Sequence, residues 1–243
     1  MKYLCSLVLF TFAVVVGPVA AAADSDVVKP TVGSLTVGRV LYLGNSITLH
    51  GPAPKIGWTG NWGMAASAAE LDYVHLLTAD IAKASGSQPE IKVRNLASFE
   101  REYETFELAK GLKDVLDFQA DLVIVAIGEN VTTPATDAAK AAFAAAFGQL
   151  LATLQQAGDP VIFVRSSFWP SPVKDGIMRQ VSSDAGAKFV DISALGNDKS
   201  YQASAEQDFQ HAGVAAHPGD KGMRAIADAI FAAMKAKAGL AGK

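Results

Sequence analysis

Three polar side chains lie where a nucleophile, a hydrogen-bond donor and a base would be useful to one another. Ser46 sits in Gly44-Asn45-Ser46-Ile47-Thr48, just past the first apolar strand pattern. Asn130 closes Gly128-Glu129-Asn130 after a second such pattern, and His217-Pro218 precedes the last helical pattern. A serine hydroxyl is a weak nucleophile until a base takes its proton, and a histidine titrating near neutrality suits that task. A tetrahedral acyl intermediate also needs donors aimed at its oxyanion; the Asn130 amide and the Ser46 backbone N–H are candidates. Taken singly, each residue has a plainer role: a turn or helix-capping serine, a loop asparagine, a packing histidine. In this order they point to acyl transfer through a serine.

The elements that must position them alternate between strand and helix. Strands are expected at Arg39–Leu43, Glu90–Asn95, Asp121–Ile127, Pro160–Val164 and Lys188–Ile192. Helices are expected at Ser67–Ser85, Glu102–Phe118, Asp137–Ala157, Val173–Ala185 and Gly219–Lys237. Five short strands separated by helices predict an α/β fold with a parallel sheet and right-handed crossovers. Sites in such sheets gather at the carboxyl ends of the strands. Ser46 follows the first strand, Asn130 the third, and His217 the fifth after a long loop, so all three fall on that rim.

The chain has 243 residues, is 50% hydrophobic and carries a formal net charge of -3, which fits one globular domain and argues against nucleic acid as a partner. Residues 1–23 read as a signal peptide, with Lys2 as the positive region, Leu4–Val16 as the apolar stretch and an alanine tract for cleavage. The expectation is export to the periplasm or beyond, with no stable membrane span in the mature chain. The single cysteine, Cys5, lies in that leader, which leaves no thiol for disulfides or thiolate chemistry. Residues 24–36 read as a linker and 37–243 as the domain.

With these residues in view, the chain resembles the SGNH hydrolases, also called GDSL-type esterases and lipases. Gly44–Thr48 is similar to the family's first block, with Asn45 in place of Asp. Gly128–Asn130 is similar to the third block, with Val131 in place of its final Asp. His217-Pro218 with Gly222 is similar to the fifth. The resemblance spans about residues 38–236. It implies a flavodoxin-like three-layer α/β/α sandwich, Ser46 as nucleophile, His217 as base and Asn130 as oxyanion donor. Two departures stand out. Val214 occupies the place of the acid that orients the histidine, so a Ser–His dyad is expected. A backbone carbonyl, such as that of Val214, would then accept the Nδ1 proton, with Glu100, Glu129, Asp208 and Asp220 as substitutes. In the second block, beginning at Asn95, Glu100 takes the place of an oxyanion-hole glycine, and its N–H is the expected donor there.

The segment from His50 to Met64 carries Pro52, Pro54, Gly57, Gly60 and Gly63 and reads as a loop. His50, Trp58, Asn61 and Trp62 could form a sugar-binding platform beside the nucleophile; equally, the tryptophans could pin the loop to the domain. Trp169 is open to both readings. The spacing of His50, His211, His217 and Asp220 matches no common metal motif, and no glycine-rich nucleotide pattern follows Gly44, so no metal or cofactor is called for. His75 reads as a packing histidine. These readings converge on an exported serine esterase acting on carboxylic esters, with O-acetyl groups on carbohydrate as the leading candidates. An O-acyltransferase using the same dyad and a non-catalytic glycan-binding module are the alternatives.

Overall fold

The computed structural model describes residues 29–240; the leader expected at residues 1–23 lies outside them. A hairpin of β1 (Thr31–Val32) and β2 (Leu35–Thr36) opens the described chain. Then come β3 (Arg39–Gly44), α1 (Tyr73–Ser85), β4 (Glu90–Asn95), α2 (Ala97–Glu102), α3 (Leu108–Gly111) and α4 (Lys113–Leu116). They are followed by β5 (Leu122–Ala126), α5 (Asp137–Gln156), β6 (Val161–Arg165), α6 (Pro172–Asp184) and β7 (Lys188–Val190). The chain ends with α7 (Ser193–Asn197), α8 (Ala212–Ala215) and α9 (Asp220–Lys237).

The main sheet has the order β4-β3-β5-β6-β7, parallel throughout. Its central strands read as near-continuous apolar runs because both faces are covered. Val40, Tyr42, Leu122, Ile124 and Phe163 point to one side and pack in a core with α1 and α9. Leu41, Leu43, Val123, Val125 and Val164 point to the other and meet Phe143, Phe147 and Met178 of α5 and α6. This is the three-layer sandwich that the resemblance implies. α9 presents Met223, Ile226, Ala227, Ile230 and Met234 at helical spacing as its buried stripe.

Chain order reverses between β3 and β5: after β3 the chain goes outward to β4, then returns to the other side. Such a switch point opens a crevice beyond the strand carboxyl ends. Ser46 leaves β3 there and Asn130 leaves β5 there.

Four expectations need correction. Residues 29–36 are not a free linker: Val32 and Leu35 are buried in the core, and Gly33 turns at φ 57 against Ala238. Burying two such side chains contributes about 1.5–3 kcal/mol each. The expected helix at Glu102–Phe118 is broken into the end of α2, then α3 and α4. Gly111 lies so close to the Phe106 ring that a Cβ there would be 2.4 Å from it, and the chain bends at this point to bury Leu112 and Val115. α1 begins at Tyr73 rather than Ser67, because the Asp72 carboxylate caps it by accepting from the His75 N–H. The His75 ring is half-exposed and pairs with Asp72 at 2.8 Å instead of packing inward.

Candidate active site

The Ser46 turn starts from a contact only glycine allows. A Cβ on Gly44 would stand 1.9 Å from Thr48 Oγ1, which is itself bonded to the Tyr73 hydroxyl at 2.7 Å. With no side chain there, the strand folds straight into a helical turn: the Thr48 and Leu49 N–H groups both donate to the Asn45 carbonyl, at 3.0 and 2.9 Å. The Ser46 carbonyl accepts from the Met64 N–H at 2.8 Å, which ties the turn to the following loop. The Ser46 N–H has no acceptor among the described residues.

Ser46 Oγ lies 2.8 Å from His217 Nε2. On the far side of the ring, Nδ1 donates to the Gly213 carbonyl at 2.6 Å. That bond assigns the proton to Nδ1 and leaves the Nε2 lone pair facing the serine. Trp169 stands edge-on to the imidazole, with centroids 5.2 Å apart, and its own N–H is held by the Ala216 carbonyl. The orienting group is therefore the carbonyl of Gly213 in α8, not that of Val214, which accepts the His217 backbone N–H. Nor does a side-chain acid among the described residues substitute: Nδ1 meets the Gly213 carbonyl and not Asp208, Asp220 accepts from Ser67, and Glu100 and Glu129 are engaged elsewhere. Burial pushes the His217 pKa below the usual histidine value, outweighing the Gly213 hydrogen bond and the charge of Glu129. A lowered pKa keeps the ring neutral, and basic, to lower pH. The acid limb of kcat/KM should accordingly fall below about 6.5, as a pH–rate profile would reveal; a limb above that value would contradict this environment.

Beneath the serine lies a buried polar network. Glu129 accepts from Arg165 at 2.6 Å, from the Phe168 N–H at 2.8 Å and from Asn45 Nδ2 at 2.6 Å. Burial alone would raise its pKa, but the Arg165 guanidinium and these donors bring it below the ordinary carboxylate value. Glu100 accepts from Asn45 Nδ2 at 3.1 Å, from the Gly128 N–H at 2.7 Å, and from the N–H and Nδ2 of Asn130 at 3.2 and 2.8 Å. Burial and the charge of Glu129 push the Glu100 pKa up, against those donors. Lys174 completes the support by donating to the Gly128 and Val131 carbonyls, at 2.7 and 3.0 Å.

The expectation for the Glu100 N–H is corrected. It donates to the Leu96 carbonyl at 3.1 Å within the turn that starts α2, so it is not free for an oxyanion. The side chain acts instead, on Asn130. Its carboxylate takes one Nδ2 hydrogen, while Arg101, the next residue, donates to Asn130 Oδ1 at 3.1 Å. A fixed acceptor on one end of the amide and a fixed donor on the other decide which way it points. The second Nδ2 hydrogen remains for a ligand.

Ser46, Asn130 and His217 line one pocket of about 470 Å³ together with His50, Asn95, Arg101 and His211, and with Ile56, Met64 and Val214 as apolar wall. Of the four residues proposed as a platform, His50 lines this pocket and Trp58, Asn61 and Trp62 do not. Trp58 is buried, donates to the His50 carbonyl at 3.1 Å and meets Trp62 edge-to-face at 5.6 Å; Trp62 donates to the Ala66 carbonyl at 2.9 Å. Asn61 is exposed. The tryptophans hold the loop that brings His50 to the pocket. Sequence reasoning missed Arg101, Arg165 and the Gly213 carbonyl. Arg165, a charge closing the apolar run of β6, carried a signal: such a residue needs a buried partner. The other two carried none.

Ser46 hydrogen-bonded to His217 at the switch point of a parallel sheet is the arrangement that serine hydrolysis would need. The sequence agrees over most of its length: residues 42–225 match the GDSL-like lipase/acylhydrolase family. The chain belongs to that family, and is an ester-hydrolysing enzyme of the SGNH superfamily. Its fold is similar to a protein assigned as a GDSL-like lipase from Parabacteroides merdae, at 15% identity and TM-score 0.54, over 87% of this chain and 100% of that one. A protein with the same assignment from Bacteroides ovatus aligns at 12% identity and TM-score 0.56, over 82% and 99%. A family two carbohydrate esterase from Cellvibrio japonicus aligns at 16% identity and TM-score 0.51, over 87% of this chain and 63% of that one. No curated protein matches the sequence. No helix among the described residues is long and apolar enough to cross a membrane.

Proposed function

We propose that the protein is an exported serine esterase that removes short acyl groups, acetyl above all, from carbohydrate through a Ser46–His217 dyad. The observation that carries this reading is the 2.8 Å contact of Ser46 Oγ with His217 Nε2, with Nδ1 held by the Gly213 carbonyl. Ser46 Oγ attacks the ester carbonyl carbon while Nε2 takes its proton. The oxyanion is received by the Ser46 N–H and the free Nδ2 hydrogen of Asn130. Collapse breaks the bond to the alcohol, which leaves with the proton from His217. Water then attacks the acyl-serine, giving a proton to Nε2; collapse breaks the bond to Ser46 Oγ, which regains that proton, and the carboxylic acid departs. Without a carboxylate behind His217, the imidazolium gains less stabilisation than in a full triad.

A pocket of about 470 Å³ walled by Ile56, Met64 and Val214 suits a small acyl group with part of its alcohol. The carbohydrate esterase from Cellvibrio japonicus and an acetyl xylan esterase from Butyrivibrio proteoclasticus share the fold and support the sugar assignment by analogy. Export rests on the leader at residues 1–23. The test is hydrolysis of p-nitrophenyl acetate, butyrate and octanoate beside acetate release from acetylated xylan. The expected result is turnover that falls with acyl length, with acetate released from the polysaccharide; a preference for octanoate would reject the substrate assignment.

A further inference from the structure

The catalytic pocket does not end at His211. A second pocket of about 520 Å³ shares Ile56 and His211 with it and continues over Lys55, Asp208, Phe209 and Gln210. Its walls are built. On one side, residues 53–58 form a tight loop in which the Ala53 N–H donates to the Trp58 carbonyl at 2.7 Å. Trp58 anchors this loop in a small core that includes Met64, Ala203 and Val214, and Phe209 packs against the same core from the other side. Glu206, just upstream, accepts from the N–H groups of Asp220 and Lys221 at 2.6 and 2.9 Å, which fixes the base of the second wall to the start of α9.

We infer that this second pocket is a subsite for a sugar unit adjoining the acylated one, so that the enzyme recognises an oligosaccharide. The inference rests on the carbohydrate reading above and extends it. An acyl chain entering here would desolvate Lys55, Asp208 and Gln210 without offering them partners. A sugar offers hydroxyls to all three and a C–H face to the half-buried Phe209 ring, the mixture of one aromatic and a few polar groups that binds such ligands. The shared residues Ile56 and His211 make the two pockets neighbours, so a unit linked to the acylated sugar can reach the second pocket from the first.

Binding is tested by calorimetry of xylotetraose, cellotetraose and mannotetraose to the Ser46→Ala protein, with Phe209→Ala or Gln210→Ala added. One of the three should bind, and each added substitution should weaken it about tenfold. Gln210 is exposed, so its variant remains informative if the Phe209 variant fails to fold. The same added substitutions in the active enzyme should leave p-nitrophenyl acetate turnover within about twofold. No binding of any tetrasaccharide would overturn the subsite, as would a selective loss of p-nitrophenyl octanoate hydrolysis. Failure of the wild type to hydrolyse any ester counts against the proposed function alone, because the binding measurement needs no turnover.

Discussion

Ser46→Ala lowers kcat for ester hydrolysis by about 10⁴-fold or more, and His217→Ala does the same. The two groups act as a unit: Oγ without Nε2 at 2.8 Å has no acceptor for its proton, and Nε2 without Oγ has no nucleophile to activate. Their effects are therefore strongly non-additive, and the double variant is no slower than the worse of the two singles. Both side chains sit at the pocket and neither belongs to the two main apolar cores, so the variants should fold as the wild type does. Steady-state kinetics with circular dichroism of each variant checks this. Either single variant retaining a tenth of wild-type kcat would contradict the dyad.

The second large effect concerns the residue at which this chain departs from the first block of its family. Asn45→Asp restores the family's residue, yet it should destabilise the protein by about 3–5 kcal/mol at neutral pH. Asn45 is wholly buried, and its Nδ2 gives one hydrogen to Glu100 and the other to Glu129, at 3.1 and 2.6 Å. An aspartate can donate neither bond once ionised, and it would add a third carboxylate to the two already there. Its folded-state pKa must then lie above its unfolded value. A carboxyl raised in this way costs nothing below the unfolded pKa, and the penalty grows as pH rises towards and through the folded one. The gap between variant and wild type, read by denaturant unfolding, should therefore be smaller at pH 5 than at pH 8. A variant as stable as the wild type at pH 8 would mean that the Asn45 amide is not what holds the two glutamates together.

The fold was legible because its signals are local and redundant. Val40–Leu43 and Leu122–Ala126 are apolar on both faces, which central parallel strands require. Ser46 and Asn130 were legible because each directly follows a strand, and His217 because it precedes the last helix, so topology brings them to one rim. What sequence could not carry depends on atoms without a residue signature, or on distant approach. The Gly213 carbonyl is backbone, and any residue at that position would present the same oxygen. The role of Glu100 comes from a side chain reaching 28 residues forward to Gly128, which reversed the sequence reading of its backbone as the useful part. Trp58 and Trp62 could be read either as platform or as anchor until their N–H partners, the carbonyls of His50 and Ala66, were known. The close approach of Gly111 to the Phe106 ring, where α3 gives way to α4, is a contact that periodicity does not register.

The central claim is that His217 activates Ser46, and covalent labelling tests it most directly. The wild-type chain is treated with a fluorophosphonate and digested, and the modified peptide is located by mass spectrometry. The account predicts a single adduct on Ser46 that is lost in the His217→Ala protein. An adduct on another residue, or none while ester hydrolysis proceeds, would contradict it.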